Sequence, residues 1–423
     1  MKLAHILHHH IIFLYTLQSI QANEINYPKR RKRGGFFNRD PIELLPKKYS
    51  IPNGGNLYDD DEKKSSQSTN RIYPMSICSI QGKRHYMEDE YFTNQNGSFC
   101  SVFDGHGGSA VSKYLRQNLY ARYLQAKAKS MMLLATENKI KGEEENQEDQ
   151  DALEEINVES ENDVDQDQDS AKTPIDMQSP SLIAVRNALK SAFETIDAEV
   201  QKVSHWSFQG STAVAIKLHK IANLEKTVLI SANVGDSRAV LCRNGEAIEI
   251  TKDHKPNDPD ERERIESLGG RVEWFGPVDK DGNPMDSSER RANGKEIGLR
   301  GVYRINRNLA LSRAIGDRSE LPYVCSQVDI QQIEVDEEQD VFIVIASDGL
   351  FDVFSSSQEV VDFCHNFLKR SYRNKDEELD KIALEKTKRK MSKLLVREAL
   401  RRGSMDNITV IVVWLDSDDH IQS

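Results

Sequence analysis

Apolar positions along this chain recur with two periods, and the switches between them mark its elements. Phe99 to Phe103 is a short, nearly continuous apolar run and reads as a buried strand. Residues 228–234, 239–242 and 246–250 read as successive strands, with Asn244-Gly245 a favoured hairpin turn between the last two and Gly235-Asp236 a further hairpin tip. Residues 408–415 form another apolar run of strand length. Ser179-Pro180 is a good cap and first-turn pair for a helix. After it Leu182, Val185, Leu189, Phe193, Ile196, Val200 and Val203 recur every three or four residues, which predicts a helix packed on a sheet. Residues 376–402 are strongly charged with Ile382, Leu384, Met391, Leu394, Leu395 and Leu400 interleaved, and read as one amphipathic helix or two broken by a kink. Between residues 270 and 308 the periodicity fades into Gly, Pro, Lys, Arg and Asp, and no core is expected there.

Acidic motifs stand where apolar runs stop or start: Met87-Glu88-Asp89, Asp104-Gly105-His106-Gly107-Gly108, Ser347-Asp348-Gly349 and Asp406-Asn407. A strand that runs into an aspartate places a carboxylate at the rim of a sheet, and several such strands can converge on one cation cluster. Carboxylates, carbonyls and water suit Mg²⁺ or Mn²⁺, and Mg²⁺ takes only a few carboxylates directly. Two such ions would clamp a phosphate and lower the pKa of a bound water, making hydroxide the nucleophile. Asp104 is a natural bridging ligand, and Gly105 lets its carbonyl approach the same ion. His106 beside such a centre would protonate a departing alkoxide. Taken singly, each motif is an ordinary turn or strand end, and His106 an ordinary hydrogen-bonding histidine. Together they point to a hard-metal site.

The motifs occur in an ordered series. It begins Gly82-Lys83-Arg84-His85-Tyr86-Met87-Glu88-Asp89, Val102-Phe103-Asp104-Gly105-His106-Gly107-Gly108, Gly210-Ser211-Thr212-Ala213 and Asn233-Val234-Gly235-Asp236-Ser237-Arg238-Ala239. It continues Thr251-Lys252-Asp253-His254-Lys255-Pro256, Leu311-Ser312-Arg313-Ala314-Ile315-Gly316-Asp317, Ala346-Ser347-Asp348-Gly349-Leu350-Phe351-Asp352 and Asp406-Asn407-Ile408-Thr409. In this the chain resembles the metal-dependent PPM (type 2C) serine/threonine protein phosphatases from residue 75 to 415.

The resemblance implies an α+β fold: a four-layer αββα sandwich of two antiparallel sheets face to face, flanked by helices. It implies that Asp104 bridges two metals with the Gly105 carbonyl, that Asp348 and Asp406 complete one ion's shell, and that Glu88 and Asp89 hold water ligands or the second ion. Arg84 would bind the substrate phosphate, its planar fork matching phosphate oxygens, and His106 would be the general acid. Asp236 and Asp352 match a weaker third metal site with Asp348. The implied reaction is in-line attack of metal-bound hydroxide on phosphoserine or phosphothreonine, without a phosphoenzyme. The flap beside the active site falls at residues 270–308, where Trp274, Phe275 and Arg290-Arg291 are candidates for peptide contact.

Two rival readings can be set against this. Cys78 and Arg84 have the Cys-x5-Arg spacing of cysteine-dependent phosphatases, but so do Cys364 and Arg370, where Val360, Val361, Phe363, Phe367 and Leu368 fit one face of a helix. A non-enzymatic module that binds phosphoproteins through Arg84 and the flap would have lost metal carboxylates, and every expected ligand type is present.

Composition adds the frame. At 423 residues with net charge −11, the chain suits one large domain plus unstructured segments. Much of the acidity lies in residues 137–178, too poor in apolar side chains to offset ordering entropy and expected to be a disordered insertion in a phosphatase domain spanning 71–416. The 5 cysteines are odd in number and scattered, with no disulfide or zinc pattern. Residues 1–22 contain a short apolar stretch readable as a signal or targeting segment, 23–70 form a basic leader with Lys29-Arg30-Arg31-Lys32-Arg33, and 417–423 a tail. No run approaches the ~18 apolar residues of a membrane span. No nucleic-acid motif accompanies the basic cluster, and a monomer acting on phosphoproteins is expected. The compartment is open between cytoplasm or nucleus and the secretory pathway.

Overall fold

The computed structural model describes residues 71–152, 177–221, 226–284, 301–371 and 377–415. The leader, the centre of the acidic insertion, Arg290-Arg291 and the tail lie outside the described residues. In chain order the elements are β1 (Met75–Ile80), β2 (Glu90–Thr93), β3 (Phe99–Phe103), β4 (Gly105–His106), α1 (Ala110–Ala152), α2 (Pro180–Val200), β5 (Gly210–Ser211), β6 (Ala213–Lys220), β7 (Thr227–Val234), β8 (Arg238–Arg243) and β9 (Glu246–Glu249). There follow α3 (Pro259–Ser267), β10 (Val272–Phe275), β11 (Val302–Ile305), β12 (Ile315–Gly316), β13 (Asp329–Glu334), β14 (Asp340–Ala346), α4 (Asp348–Phe351), α5 (Ser357–Ser371), α6 (Glu377–Lys388), α7 (Met391–Arg401) and β15 (Ile408–Trp414).

Two 5-stranded sheets carry the molecule, one in the order β1-β15-β14-β8-β9 and the other β13-β7-β6-β3-β2. Every pairing within them is antiparallel. Alternation along the strands sorts side chains into three layers of core. Cys100, Val102, Val214 and Ile216 of one sheet meet Leu241, Ile343, Ile345 and Ile411 of the other between the sheets. Phe99, Phe103, Ala213 and Ile230 face the opposite way, against Leu115 and Leu119 of α1 and Leu189, Phe193 and Ile196 of α2. On the far side Val344, Val410 and Trp414 pack under Val361 and Leu368 of α5 and Leu395 of α7. The αββα sandwich and its antiparallel sheets are therefore as expected.

Several local expectations change. Asn244 and Gly245 both have positive φ, as the β8–β9 hairpin requires. Gly235-Asp236 is no hairpin tip: β7 pairs with β6 and β13, β8 with β9 and β14, so the turn crosses from one sheet to the other. Ser179 is the N-cap of α2 by position only, its hydroxyl being buried without a hydrogen bond among the described residues. The 376–402 segment is two helices, α6 and α7. Helix α1 continues through Ala152, so the first part of the predicted disordered insertion is helical, in keeping with the helix propensity of its Glu, Gln, Lys and Ala. At the other boundary Met177 packs on the core and its carbonyl accepts from Gln332 Nε2 at 2.8 Å. The flap's base also departs from expectation. β10 and β11 pair antiparallel, and Val272 and Ile305 build a small core with Ile265, Leu311, Ala314 and Val324. Each strand has only 4 residues, too few for a period to stand out from the polar segment between them.

A charged network fastens this base to the sandwich. Arg313 donates to Glu261 Oε1 from Nη2 at 2.5 Å and to Asp329 Oδ1 from Nη1 at 2.9 Å. Arg264 holds the other Glu261 oxygen at 2.9 Å, and His254 Nε2 lies 3.0 Å from Asp329 Oδ2. Burial opposes the Glu261 charge, but hydrogen bonds from Arg313, Ser312 and Arg264 bring its carboxyl down to about 2. His254 first, then Arg313 against partial burial, brings Asp329 to about 2. Both folded values lie below the unfolded ones of about 4.3 and 3.9. The network's stabilisation is therefore complete above pH ~4.5 and lost as pH falls toward 2. Glu261→Gln should cost about 3 kcal/mol at pH 7, since it leaves two guanidinium groups short of a buried partner. Thermal melts should show the variant's deficit shrinking between pH ~4.5 and 2; a deficit independent of pH would mean that the Glu261 charge is not what stabilises.

Candidate active site

Antiparallel pairing gathers the acidic motifs at one rim. Ile80, at the end of β1, pairs with Ile408 at the start of β15, and Ala346, ending β14, pairs with Val410. In the second sheet Glu90, starting β2, pairs with Phe103, ending β3, and Ala213, starting β6, pairs with Val234, ending β7. Asp104, Asp348, Asp406, Asp236 and the Glu88-Asp89 segment are thereby brought to the same end of the sandwich.

Hydroxyls and one amide lock the rim. Thr212 and Asp104 exchange hydrogen bonds: the Thr212 amide donates to the Asp104 carbonyl at 2.9 Å, and the Asp104 amide to Thr212 Oγ1 at 3.0 Å. Ser347 Oγ donates to Asp89 Oδ2 at 2.8 Å and accepts from the Thr409 amide at 3.0 Å. Asn407 Nδ2 donates to the carbonyls of Gln81 at 2.8 Å and Tyr86 at 3.0 Å, while its Oδ1 accepts from the Glu88 amide at 2.8 Å. Gly349 permits this close approach, since a Cβ there would stand 2.0 Å from the Asn407 carbonyl oxygen.

Crowding shows in the acidities. Asp104 is held well above the usual carboxylate range by burial and then by the charges of Asp89, Asp348, Asp236 and Asp406. Burial, then Asp352 and Asp236, raise Asp348 likewise against the pull of Lys255. Asp89 is pushed up to about 6 by burial, with hydrogen bonds from Thr409 and Ser347 opposing. Asp89 Oδ1 and Asp348 Oδ1 are buried without a hydrogen-bond partner among the described residues. Orphaned hard oxygens among mutually repelling carboxylates fit a divalent cation, which reverses that repulsion. No three His, Cys, Asp or Glu side chains among the described residues form a ready cage. The oxygen donors at the rim, carboxylates and backbone carbonyls, suit Mg²⁺ or Mn²⁺ rather than Zn²⁺.

Two cations of the chain stand at this rim. Arg84, with its side chain 55% exposed, donates to Asp406 Oδ2 at 2.5 Å. Lys255 is ion-paired with Asp236, and Asp236, Asp352 and Asp348 hold its ammonium firmly protonated against desolvation. His106 Nε2 lies 2.6 Å from Asp317 Oδ2. Burial disfavours the imidazolium, but Asp317, then Asp236 and Glu88, outweigh it and raise its pKa. Asp317 is 2% exposed in the left-handed region at φ 46°, and Gly210 makes room for the pair: a Cβ there would lie 2.1 Å from Asp317 Oδ2 and 2.6 Å from His106 Nε2.

The metal-binding, phosphate-binding and acid candidates named from sequence thus fall at one rim, including Asp352, which follows Asp348 by one helical turn through its amide bond to the Asp348 carbonyl at 2.8 Å. Asp317, Ser347, Asn407 and Lys255 stand inside the motifs without an expected role; Ser347 and Asn407 each adjoin a site aspartate in sequence, while Asp317 and Lys255 carry no such signal. Cys364 sits fully buried in α5 with its thiol pushed up by burial, and burial raises Cys78 as well, so neither provides a thiolate. Trp274 is turned inward, donating to the Pro277 carbonyl at 3.0 Å and packing on Tyr303.

Known proteins resemble this chain in sequence and fold. A probable protein phosphatase 2C of rice, number 59, is 30% identical over 364 residues, covering 84% of this chain and 80% of the relative. Probable protein phosphatase 2C 71 of Arabidopsis thaliana is 30% identical over 355 residues, and the aligned part is 82% of this chain but 56% of that longer protein. Two solved structures share the fold: a C. elegans sex determining protein, with TM-score 0.55 at 20% identity, covering 83% of this chain and 67% of that one, and a serine-threonine phosphatase 2C from Toxoplasma gondii, with TM-score 0.50 at 22% identity, covering 81% and 94%. The family model for protein phosphatase 2C matches residues 73–408, the span that carries every acidic group at the rim and every strand of both sheets but β15, and the chain belongs to that family.

Proposed function

We propose that this protein hydrolyses phosphoserine and phosphothreonine in proteins as a metal-dependent phosphatase, with two Mg²⁺ or Mn²⁺ ions held by Asp104, the Gly105 carbonyl, Glu88, Asp89, Asp348 and Asp406. The observation that carries this reading is the convergence of those groups with two orphaned buried carboxylate oxygens. When bound, the ion pair supplies a water acid enough to attack phosphorus directly and offsets the phosphate's charge.

The chain's own residues do the rest. Arg84, exposed and paired to a single Asp406 oxygen, exchanges that carboxylate for phosphate oxygens, its fork matching two at once. His106 is the general acid. With its Nε2 against Asp317, an imidazolium leaves Nδ1–H for the departing serine or threonine oxygen. Asp317 holds the ring and favours its charged form. Asp236, Asp352 and Asp348 would hold a third, weaker ion, where Asp236 is now paired with the Lys255 ammonium.

Phosphate release from a phosphothreonine peptide should require Mn²⁺ or Mg²⁺, stop with excess chelator, and fall about a thousandfold or more in Asp104→Ala. Cys78→Ser should keep its activity. A folded, metal-loaded protein that binds the phosphopeptide and releases no phosphate would instead leave a binding module. Asp317→Asn separates leaving-group protonation from the rest. Its kcat on the phosphopeptide should drop roughly a hundredfold, as for loss of general acid catalysis. On 4-nitrophenyl phosphate, whose leaving group needs no proton, the drop should stay within about threefold. Equal losses on both substrates would assign Asp317 to the scaffold alone.

A further inference from the structure

Bulky apolar side chains stand exposed on the segments around the phosphate site. Among the large hydrophobics of the described residues, Phe208 at 77%, Tyr86 at 76% and Met405 at 63% are, with Ile72 at 72%, the most exposed, ahead of Ile382 at 59% and Met132 at 58%. Single exposed apolar residues are ordinary, but these stand on the segments that build the site. Tyr86 lies between Arg84 and Glu88, and its carbonyl accepts from Asn407 Nδ2 at 3.0 Å. Met405 directly precedes Asp406, the Arg84 partner. Phe208 is on the opposite flank. Its backbone runs against Gly107, where a Cβ would lie 2.2 Å from the Phe208 carbonyl oxygen, and β5, two residues on, pairs Gly210 with His106. Leu321, 48% exposed, joins that flank, the Ser319 amide donating to the Ser207 carbonyl at 3.0 Å.

We infer that Tyr86 and Met405 on one flank, and Phe208 on the other, select phosphoproteins whose phosphoserine or phosphothreonine is bracketed by bulky apolar residues. The inference rests on the phosphatase reading above and names its substrate class. A phosphate seated between Arg84 and His106 brings the flanking substrate residues over these side chains, and burial there favours apolar partners by the transfer of their surface from water. Lys83 and His85 are also exposed on the Arg84 segment and offer the competing preference, for acidic flanks.

The experiment uses the full chain with Mn²⁺ and phosphothreonine peptides identical except for Leu, Ser or Asp at the positions on either side. The Leu-flanked peptide should exceed the Ser-flanked one in kcat/KM by roughly tenfold or more, the scale on which apolar pockets discriminate. In Tyr86→Ser/Met405→Ser, and separately in Phe208→Ser, the Leu-to-Ser ratio should fall to within about threefold. Because each variant is read as a ratio of two substrates, partial unfolding does not imitate the effect. Equal kcat/KM for Leu and Ser flanks in the unsubstituted protein, or preference for Asp, overturns the selectivity and leaves the phosphatase reading standing. Hydrolysis of none of the peptides overturns both.

Discussion

Mutual repulsion among carboxylates at one rim is the constraint on which the rest of this structure depends. Antiparallel pairing alternates strand starts and ends, so a rim can be supplied with side chains from either direction of the chain. Here it is supplied with acid, at Asp104, Asp348, Asp406, Asp89 and Asp236, and desolvation makes the charges of Asp104, Asp348 and Asp89 costly. The fold tolerates the arrangement because neutral groups near the strand ends fix the segments in place: Thr212 holds the Asp104 backbone, Ser347, steadied by the Thr409 amide, donates to the Asp89 carboxylate, and Asn407 spans the Arg84–Glu88 segment. None of these groups neutralises the carboxylates, and an attraction for a cation remains.

The two cations that the chain itself provides divide this task differently. Arg84 is half in water and bound to one oxygen of Asp406, a contact of little net stabilising value at such exposure and therefore easily exchanged for phosphate. Lys255 is held from three sides by Asp236, Asp352 and Asp348 and is a far more persistent counter-charge. Its loop is positioned by His254, whose Nδ1 accepts from the Gly235 amide at 2.9 Å while Nε2 faces Asp329. The Glu261–Arg313–Asp329 network under the flap thus reaches the acidic rim through His254, joining the stability of the flap's base to the placement of Asp236.

Sequence patterns revealed the core far better than the connections. Strands such as β3, β7 and β15 are buried along their whole length, so they appear as apolar runs, and α2 presents one unbroken stripe. The flap's base escaped notice because β10 and β11 are short and separated by a polar segment, and their partners Ile265, Leu311 and Val324 come from three other places in the chain. Gly235-Asp236 has the local chemistry of a hairpin tip, and that chemistry cannot say which sheet the next strand joins; pairing with β14 decides it. The site divides in the same way. Carboxylates ending apolar runs were legible one by one, whereas Asp317 as the partner of His106 depends on β12 and β4 meeting on either side of β5.

The small three-stranded sheet β12-β5-β4 is therefore more than an ornament of the rim. It sets His106 beside Asp317, with Gly210 between them as the residue that leaves space for both side chains. It also carries Phe208 to the mouth on one side and, through the Gly316 amide bonded to Asp197 of α2 at 2.9 Å, anchors to a helix of the outer layer on the other. In the proposed reading, acid chemistry at the leaving group and contact with residues next to it in the substrate would share one support. A displacement of β5 large enough to alter the rim would also separate His106 from Asp317, so the proposed substrate contact and proton delivery would be mechanically coupled.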